Sequence, residues 1–205
     1  MNMTFDELKA DIGTYANHIP ADTLDDLCDF LEKAGVGQNG IGVLKGMSYF
    51  HAPASAGHHG ARIGCLAQHS VNVTRWLLRI GDTLGVEWTD RRTPYVIGLL
   101  HDLCKCDDYT WTEDGKIAKV ATFIPGHGVH SAILAPLVVG ALTPQEIAGI
   151  VHHMGAWTTD RDTPIANLDA AIKRFPRTVI AVHAADMMAS QVDENEDFVG
   201  REAGL

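Results

Sequence analysis

From Leu66 onward, apolar residues recur every three or four positions, and His69 shares the face formed by Val73, Trp76, Leu77 and Ile80. A helix with that pattern has to bury an imidazole. The pattern returns along the chain. Thr93-Pro94 marks a helix start, a cap followed by proline at the first helical position, and the apolar run through Leu99-Leu100 stops at His101-Asp102. A further helix is expected over residues 127–139. The next opens at Thr143, whose spacing to Glu146 is that of a capping box, and reaches His152-His153. Two more are expected over residues 168–174 and 176–192.

Upstream, residues 4–17 and 23–33 read as two short amphipathic helices, the second capped by Asp22 or Thr23 and followed by Gly35. Residues 35–64 are rich in Gly, Ala and Ser and read as a long connection that carries chemistry. Residues 109–123, with aromatic, Thr and Val positions around Glu113-Asp114-Gly115, predict a small β-hairpin. Nothing alternates strand with helix. The expected fold is therefore all-α, a helical bundle with one minor β-hairpin. Residues 1–50 form an N-terminal helical extension on the core, 51–192 the chemistry-bearing domain, and 193–205 an acidic tail expected to be flexible.

Composition narrows the function. The 205 residues are 46% hydrophobic, as in an ordinary soluble domain, and apolar runs such as 96–100 and 179–182 are too short to span a bilayer. Four scattered cysteines and no basic-then-apolar start suit a reduced, cytoplasmic protein. A formal charge of −10 argues against a long nucleic-acid partner and requires local neutralisation of any bound phosphate. Eleven histidines, nine of them between His51 and His153, are more than a solvated surface needs. Metal ligation is one reason to concentrate them.

His69, His101-Asp102, His127, His153 and Asp186 lie on or at the ends of five expected helices, each among apolar neighbours. A lone buried histidine is usually only hydrogen-bonded, but six such groups would each cost a few kcal/mol if left unpaired. A shared ion compensates them together. A mixed His/Asp set suits Mn²⁺, Fe²⁺, Ni²⁺ or Zn²⁺, with Mg²⁺ at a carboxylate-rich position.

The order His69, His101-Asp102, Asp186 resembles the H…HD…D signature of the HD-domain metal-dependent phosphohydrolases. HDLCK is similar to that family's HDxGK, and HAADMMAS around Asp186 resembles its closing aspartate helix. APASAGHHGARIGCLAQHSVNV resembles the approach to the first metal histidine in HD proteins of the bacterial exoribonuclease and relaxase-associated kind. GHGVHS and HHMGAW are similar to a GHGEKS…HMG pattern of small bacterial and phage-type HD hydrolases, and to the extra histidines of the HD-GYP group. The GYP segment itself is absent, Gly155-Ala156-Trp157 standing in its place, so cyclic dinucleotide hydrolysis is not implied.

The resemblance implies one or two divalent metals on His69, His101, Asp102, His127, His153 and Asp186, with His152 either a further ligand or solvent-facing. His130 stands at the lysine position of GHGEKS. Lys105 would place a cation on a substrate phosphate, or else simply meet a helix C-terminus. Arg62, His58, His59, His130 and Trp157 are the remaining substrate-binding candidates; Trp111 and Trp157 either stack a base or merely pack. Cys104 and Cys106 lack the two-residue spacing of a thiol site, Asp107 and Asp108 read as a solvated loop, and His183 is either a support for Asp186's face or core. The implied activity is hydrolysis of a small phosphate ester, a nucleotide foremost, by a metal-activated water, with Asp102 and Lys105 catalytic. Two alternatives stand beside it: a 3'-5' exonuclease or phosphodiesterase on short single strands, and a non-catalytic nucleotide-sensing module.

Overall fold

The computed structural model describes residues 49, 52–56, 61, 65–121, 124, 126–155 and 166–194. The helices expected at 4–17 and 23–33 lie outside these residues, as do His58, His59, Arg62 and Trp157. The apolar stripe beginning at Leu66 forms α1 (Cys65–Leu84), which buries Leu66, His69, Val73 and Leu77. Next come α2 (Thr93–Leu100), the short α3 (Lys105–Asp108), strands β1 (Tyr109–Trp111) and β2 (Ile117–Lys119), α4 (His127–Leu134), α5 (Pro136–Val139) and α6 (Pro144–Val151). Two closing helices, α7 (Ala166–Arg174) and α8 (Pro176–Met188), lead into a π-helical turn over Ala189–Asp193. The fold is all-α with a minor hairpin.

α1 is sandwiched by α2 and α8, and α6 packs on α2, α4 and α8. The core between them is formed by residues such as Leu77, Tyr95, Ile97, Leu100, Val182 and Ala185. Tyr49 lies in it too, its hydroxyl donating to Leu99 O at 2.8 Å, so part of the upstream chain closes over α2.

Three helix ends differ from expectation, each for a local reason. Arg92, not Thr93, occupies the cap position of α2 with no side-chain cap; Thr93 Oγ1 instead reaches the buried Glu146 carboxylate at 3.3 Å. Pro136 has no N–H to continue a ladder, so the segment expected as one helix over 127–139 divides into α4 and α5. α6 ends at Val151 with His152 as its C-cap, which puts His152 and His153 in the following turn. The Thr143 capping box is present, and its Glu146 also receives Arg92 Nε at 3.2 Å, tying the starts of α6 and α2 together. The hairpin is shorter than the sequence pattern. Tyr109 pairs with Lys119 and Trp111 with Ile117, closed by Gly115 at φ 76°.

Two glycines let helices approach closely. A Cβ on Gly98 would meet the Thr74 hydroxyl and lie 2.8 Å from Thr74 Cα on α1, and one on Gly128 would meet the Val151 carbonyl. Because Thr74 Cα is backbone, the clash at Gly98 cannot be relieved by a rotamer change. Gly98→Ala is therefore expected to lower unfolding stability by about 1–3 kcal/mol in urea titration, in the range of an overpacked core. Thr143→Ala, which removes only a cap, should cost about 0.5–2 kcal/mol.

Candidate metal centre

Three imidazoles at the centre of the bundle have one ring nitrogen already committed. His101, the C-cap of α2, donates Nδ1–H to Gly98 O at 2.9 Å. His153 donates Nδ1–H to Ile150 O at 2.7 Å. His69, one turn into α1, places Nδ1 3.1 Å from both oxygens of Glu194. Backbone carbonyls and carboxylates only accept, so the proton of each neutral ring sits on Nδ1 and the lone pair sits on Nε2.

Those Nε2 positions converge. His101 Nε2 and His69 Nε2 are 3.2 Å apart, and His69 Nε2 lies 3.3 Å from Asp186 Oδ1. Asp102 completes the group: Oδ1 is 3.6 Å from His153 Nε2, and Oδ2 is 3.8 Å from His101 Nε2 and 4.0 Å from His69 Nε2. All five side chains are buried or nearly so, and His153 Nε2 is buried without a hydrogen-bond partner among the described residues. Two sets each hold three ligand atoms within 4.8 Å of one another, His69 with His101 and Asp186, and His101 with Asp102 and His153.

The electrostatics follow from this crowding. Burial pushes His101 down to about 4, with His153 and His69 adding to the effect. For His69 burial is outweighed by Asp186 and Glu194, which hold it well above the usual imidazole value. Burial likewise opposes ionisation of Asp102 and Asp186. Lys105 and the three histidines nevertheless keep Asp102 far below the carboxylate range, and His69 brings Asp186 to about 2. The point between the rings demands a positive charge. A proton on His69 Nε2 satisfies it in part; a divalent cation on the same lone pairs and carboxylates satisfies all five groups. The residues present fit such an ion.

The HD-domain profile matches residues 66–189, from the start of α1 to the end of α8. The chain belongs to the HD-domain family. HD domains bind divalent metals and are in general metal-dependent phosphohydrolases. Searches of curated proteins and of solved structures give no significant match. Among the described residues no helix is long and apolar enough to cross a membrane.

The structure thus gathers His69, His101, Asp102, His153 and Asp186 into the HD centre, with Lys105 Nζ at its edge, 3.9 Å from Asp102 Oδ1 and 5.5 Å from the Tyr109 ring centroid. His127 joins neither ligand set. It faces Asp108 Oδ2 at 3.4 Å and Cys104 Sγ at 3.9 Å instead. His152 also stays outside both sets, its Nδ1 buried without a hydrogen-bond partner among the described residues, and burial lowers its pKa. His183 supports the centre from behind, donating Nδ1–H to His153 O at 2.9 Å. Asp107 and Asp108 correct the expectation of a solvated loop: both are buried in α3, because His130 from α4 lies between them, 3.0 Å from Asp108 Oδ1 and 3.6 Å from Asp107 Oδ2. His130 is held up at about 9, burial being outweighed by those two carboxylates.

Glu194 falls in the segment that the sequence pattern marks as a flexible tail, and no local signal singles it out. It follows the π-helical turn, its N–H bonding Ala189 O at 3.1 Å, and also accepts from Asn72 Nδ2 at 3.0 Å. Asp193 beside it accepts from Trp76 Nε1 at 2.8 Å. No spacing rule links Glu194 to a histidine 125 positions earlier. A carboxylate on the far nitrogen of a metal-binding imidazole fixes the tautomer and makes the ligand nitrogen more basic. Glu194→Ala should therefore weaken Mn²⁺ binding by about 10–100-fold in calorimetric titration while leaving the far-ultraviolet helix signal intact.

Proposed function

We propose that this HD domain hydrolyses a small phosphate ester, a nucleotide foremost, with its five-residue centre as the active site. The observation that carries the reading is the convergence of three Nε2 lone pairs and two carboxylates around one buried point, with every Nδ1 proton directed outward. His69, His101, Asp102, His153 and Asp186 would hold the metal, Asp102 lying within reach of both ligand sets. A bound divalent ion supplies an activated water and neutralises a phosphoryl oxygen.

The chain's own groups do the remaining work. Gly98 O, Ile150 O and Glu194 fix the three rings in the tautomer that presents Nε2. Lys105, kept charged by Asp102 once burial is outweighed, would meet the substrate's phosphate at the edge of the centre. Asp102 stays ionised at any physiological pH and remains an acceptor throughout. The net charge of −10 favours a compact phosphorylated substrate over a long polyanion.

The test is a panel of phosphomonoesters, phosphodiesters, nucleoside mono- and triphosphates, cyclic nucleotides and short oligonucleotides, assayed with Mn²⁺, Fe²⁺, Ni²⁺, Zn²⁺ and Mg²⁺. Turnover of at least one nucleotide is expected. Asp102→Asn should reduce it by more than about 10²-fold, above what loss of an outer partner of a ligand costs. Lys105→Met should act chiefly through KM. Processive release from oligonucleotides alone would replace the reading with the exonuclease one. Nucleotide binding without turnover of anything in the panel would replace it with a sensing module.

A further inference from the structure

Asp108 Oδ2 lies 3.4 Å from His127 Nδ1, and the other oxygen of the same carboxylate lies 3.0 Å from His130 Nδ1. The two histidines stand three residues apart at the start of α4, so they share a helix face, and one carboxylate from the end of α3 spans both. On its far side His130 pairs with Asp107 Oδ2 across 3.6 Å. Carboxylates and imidazoles thus alternate in one chain: Asp107, His130, Asp108, His127. The resemblance of GHGVHS implies His127 as a metal ligand but says nothing of what orients it, and residue 130 of the similar pattern GHGEKS is a lysine. We propose that Asp108 is the positioning residue for His127: braced by His130 and Asp107, it holds the ring's proton on Nδ1 and leaves the Nε2 lone pair to the metal of the HD centre.

The same device occurs three more times around that centre. Glu194 stands on Nδ1 of His69, and the Gly98 and Ile150 carbonyls stand on Nδ1 of His101 and His153, each a group that only accepts. Asp108 gives His127 the matching partner, and His127 Nε2 has none among the described residues. The ring is also in the right neighbourhood. A Cβ on the adjoining Gly128 would lie 2.8 Å from Ile150 O, the carbonyl that orients His153, and His127 Nδ1 is 3.9 Å from Cys104 Sγ, two residues beyond Asp102. His127 therefore stands beside the segments that carry Asp102 and His153.

His130 makes the brace rigid. It is 1% exposed and has a carboxylate against each ring nitrogen, so as a cation it donates Nδ1–H to Asp108 and Nε2–H toward Asp107. Neither nitrogen is left for a substrate. Burial opposes ionisation of Asp108, yet hydrogen bonds from His127 and His130 hold its carboxyl well below the usual range.

The inference rests on the HD centre holding a metal and on no particular substrate, so its tests leave turnover aside. In the full-length protein, stripped with chelator and kept in mildly alkaline buffer, imidazole nitrogen NMR spectra are expected to show the His127 proton on Nδ1. Asp108→Ala should move it to Nε2, the tautomer that a histidine without a partner prefers. In calorimetric titration with Mn²⁺, Asp108→Ala should weaken binding by about 10–100-fold. The same substitution in a His127→Ala background should cost almost nothing further, because the carboxylate acts through that ring. His130→Leu should share the loss, and His130→Lys, which keeps a cation against the carboxylates, should recover most of it. A wild-type His127 with its proton on Nε2 overturns the inference with no variant needed. Additive losses from Asp108→Ala and His127→Ala overturn it by giving Asp108 an effect of its own. Undiminished Mn²⁺ affinity in His127→Ala, beside weakened affinity in His69→Ala, overturns it and leaves the HD centre and the proposed function standing; a wild-type protein that binds no Mn²⁺ overturns both.

Discussion

The centre of this protein depends on where three protons are. Each Nδ1–H of His69, His101 and His153 is claimed by an acceptor that cannot donate in return, and so each Nε2 turns inward with its lone pair. Two such lone pairs at 3.2 Å repel one another in a site sealed from water. The bundle can tolerate that arrangement only if a positive charge lies between them. Helix positions make it unavoidable, because His101 and His153 each bond the carbonyl three residues earlier as their helices end. The backbone terminations of α2 and α6 thus act as ligand-orienting devices, a role more often given to side chains.

Close packing transmits the same constraint outward. Gly98 supplies the carbonyl that orients His101 and is also where α2 meets Thr74 of α1, one helix carrying His69 and the other ending at His101. The spacing between these two ligands is therefore set by the absence of one Cβ. Gly128 plays a similar part where α4 passes the end of α6, just before His152 and His153. The HD centre is placed by helix contact distances as much as by its own residues.

The helices were readable because burial imposes a period: α1, the capping box of α6 and the proline start of α8 all follow from local pattern. The five side chains that meet at the centre were readable for a related reason, since an imidazole or carboxylate on an apolar helical face is too costly to bury without a partner. What local pattern did not carry was contact between distant segments. His127 shares the expected ligands' sequence signature, yet its ring goes to Asp108 and Cys104 because α3 folds back beside α4. Asp107 and Asp108 look solvated in a string of polar letters and are buried only because His130 arrives from the next helix. Glu194 depends on a π-helical turn, which no residue preference announces.

Charge counting sets the terms on which the proposed phosphate substrate would meet this centre. Asp102, Asp186 and Glu194 place three negative charges around the rings, and Lys105 returns one positive. With neutral imidazoles the deficit is two charges, which a single divalent ion cancels. A protonated His69 cancels only half of it, so the cluster favours the ion over the proton as long as the ion is present. An arriving phosphate then brings negative charge to a site already balanced. On the proposed reading the remaining attraction would come from Lys105, whose ammonium lies 3.9 Å from Asp102 Oδ1 at the edge of the centre.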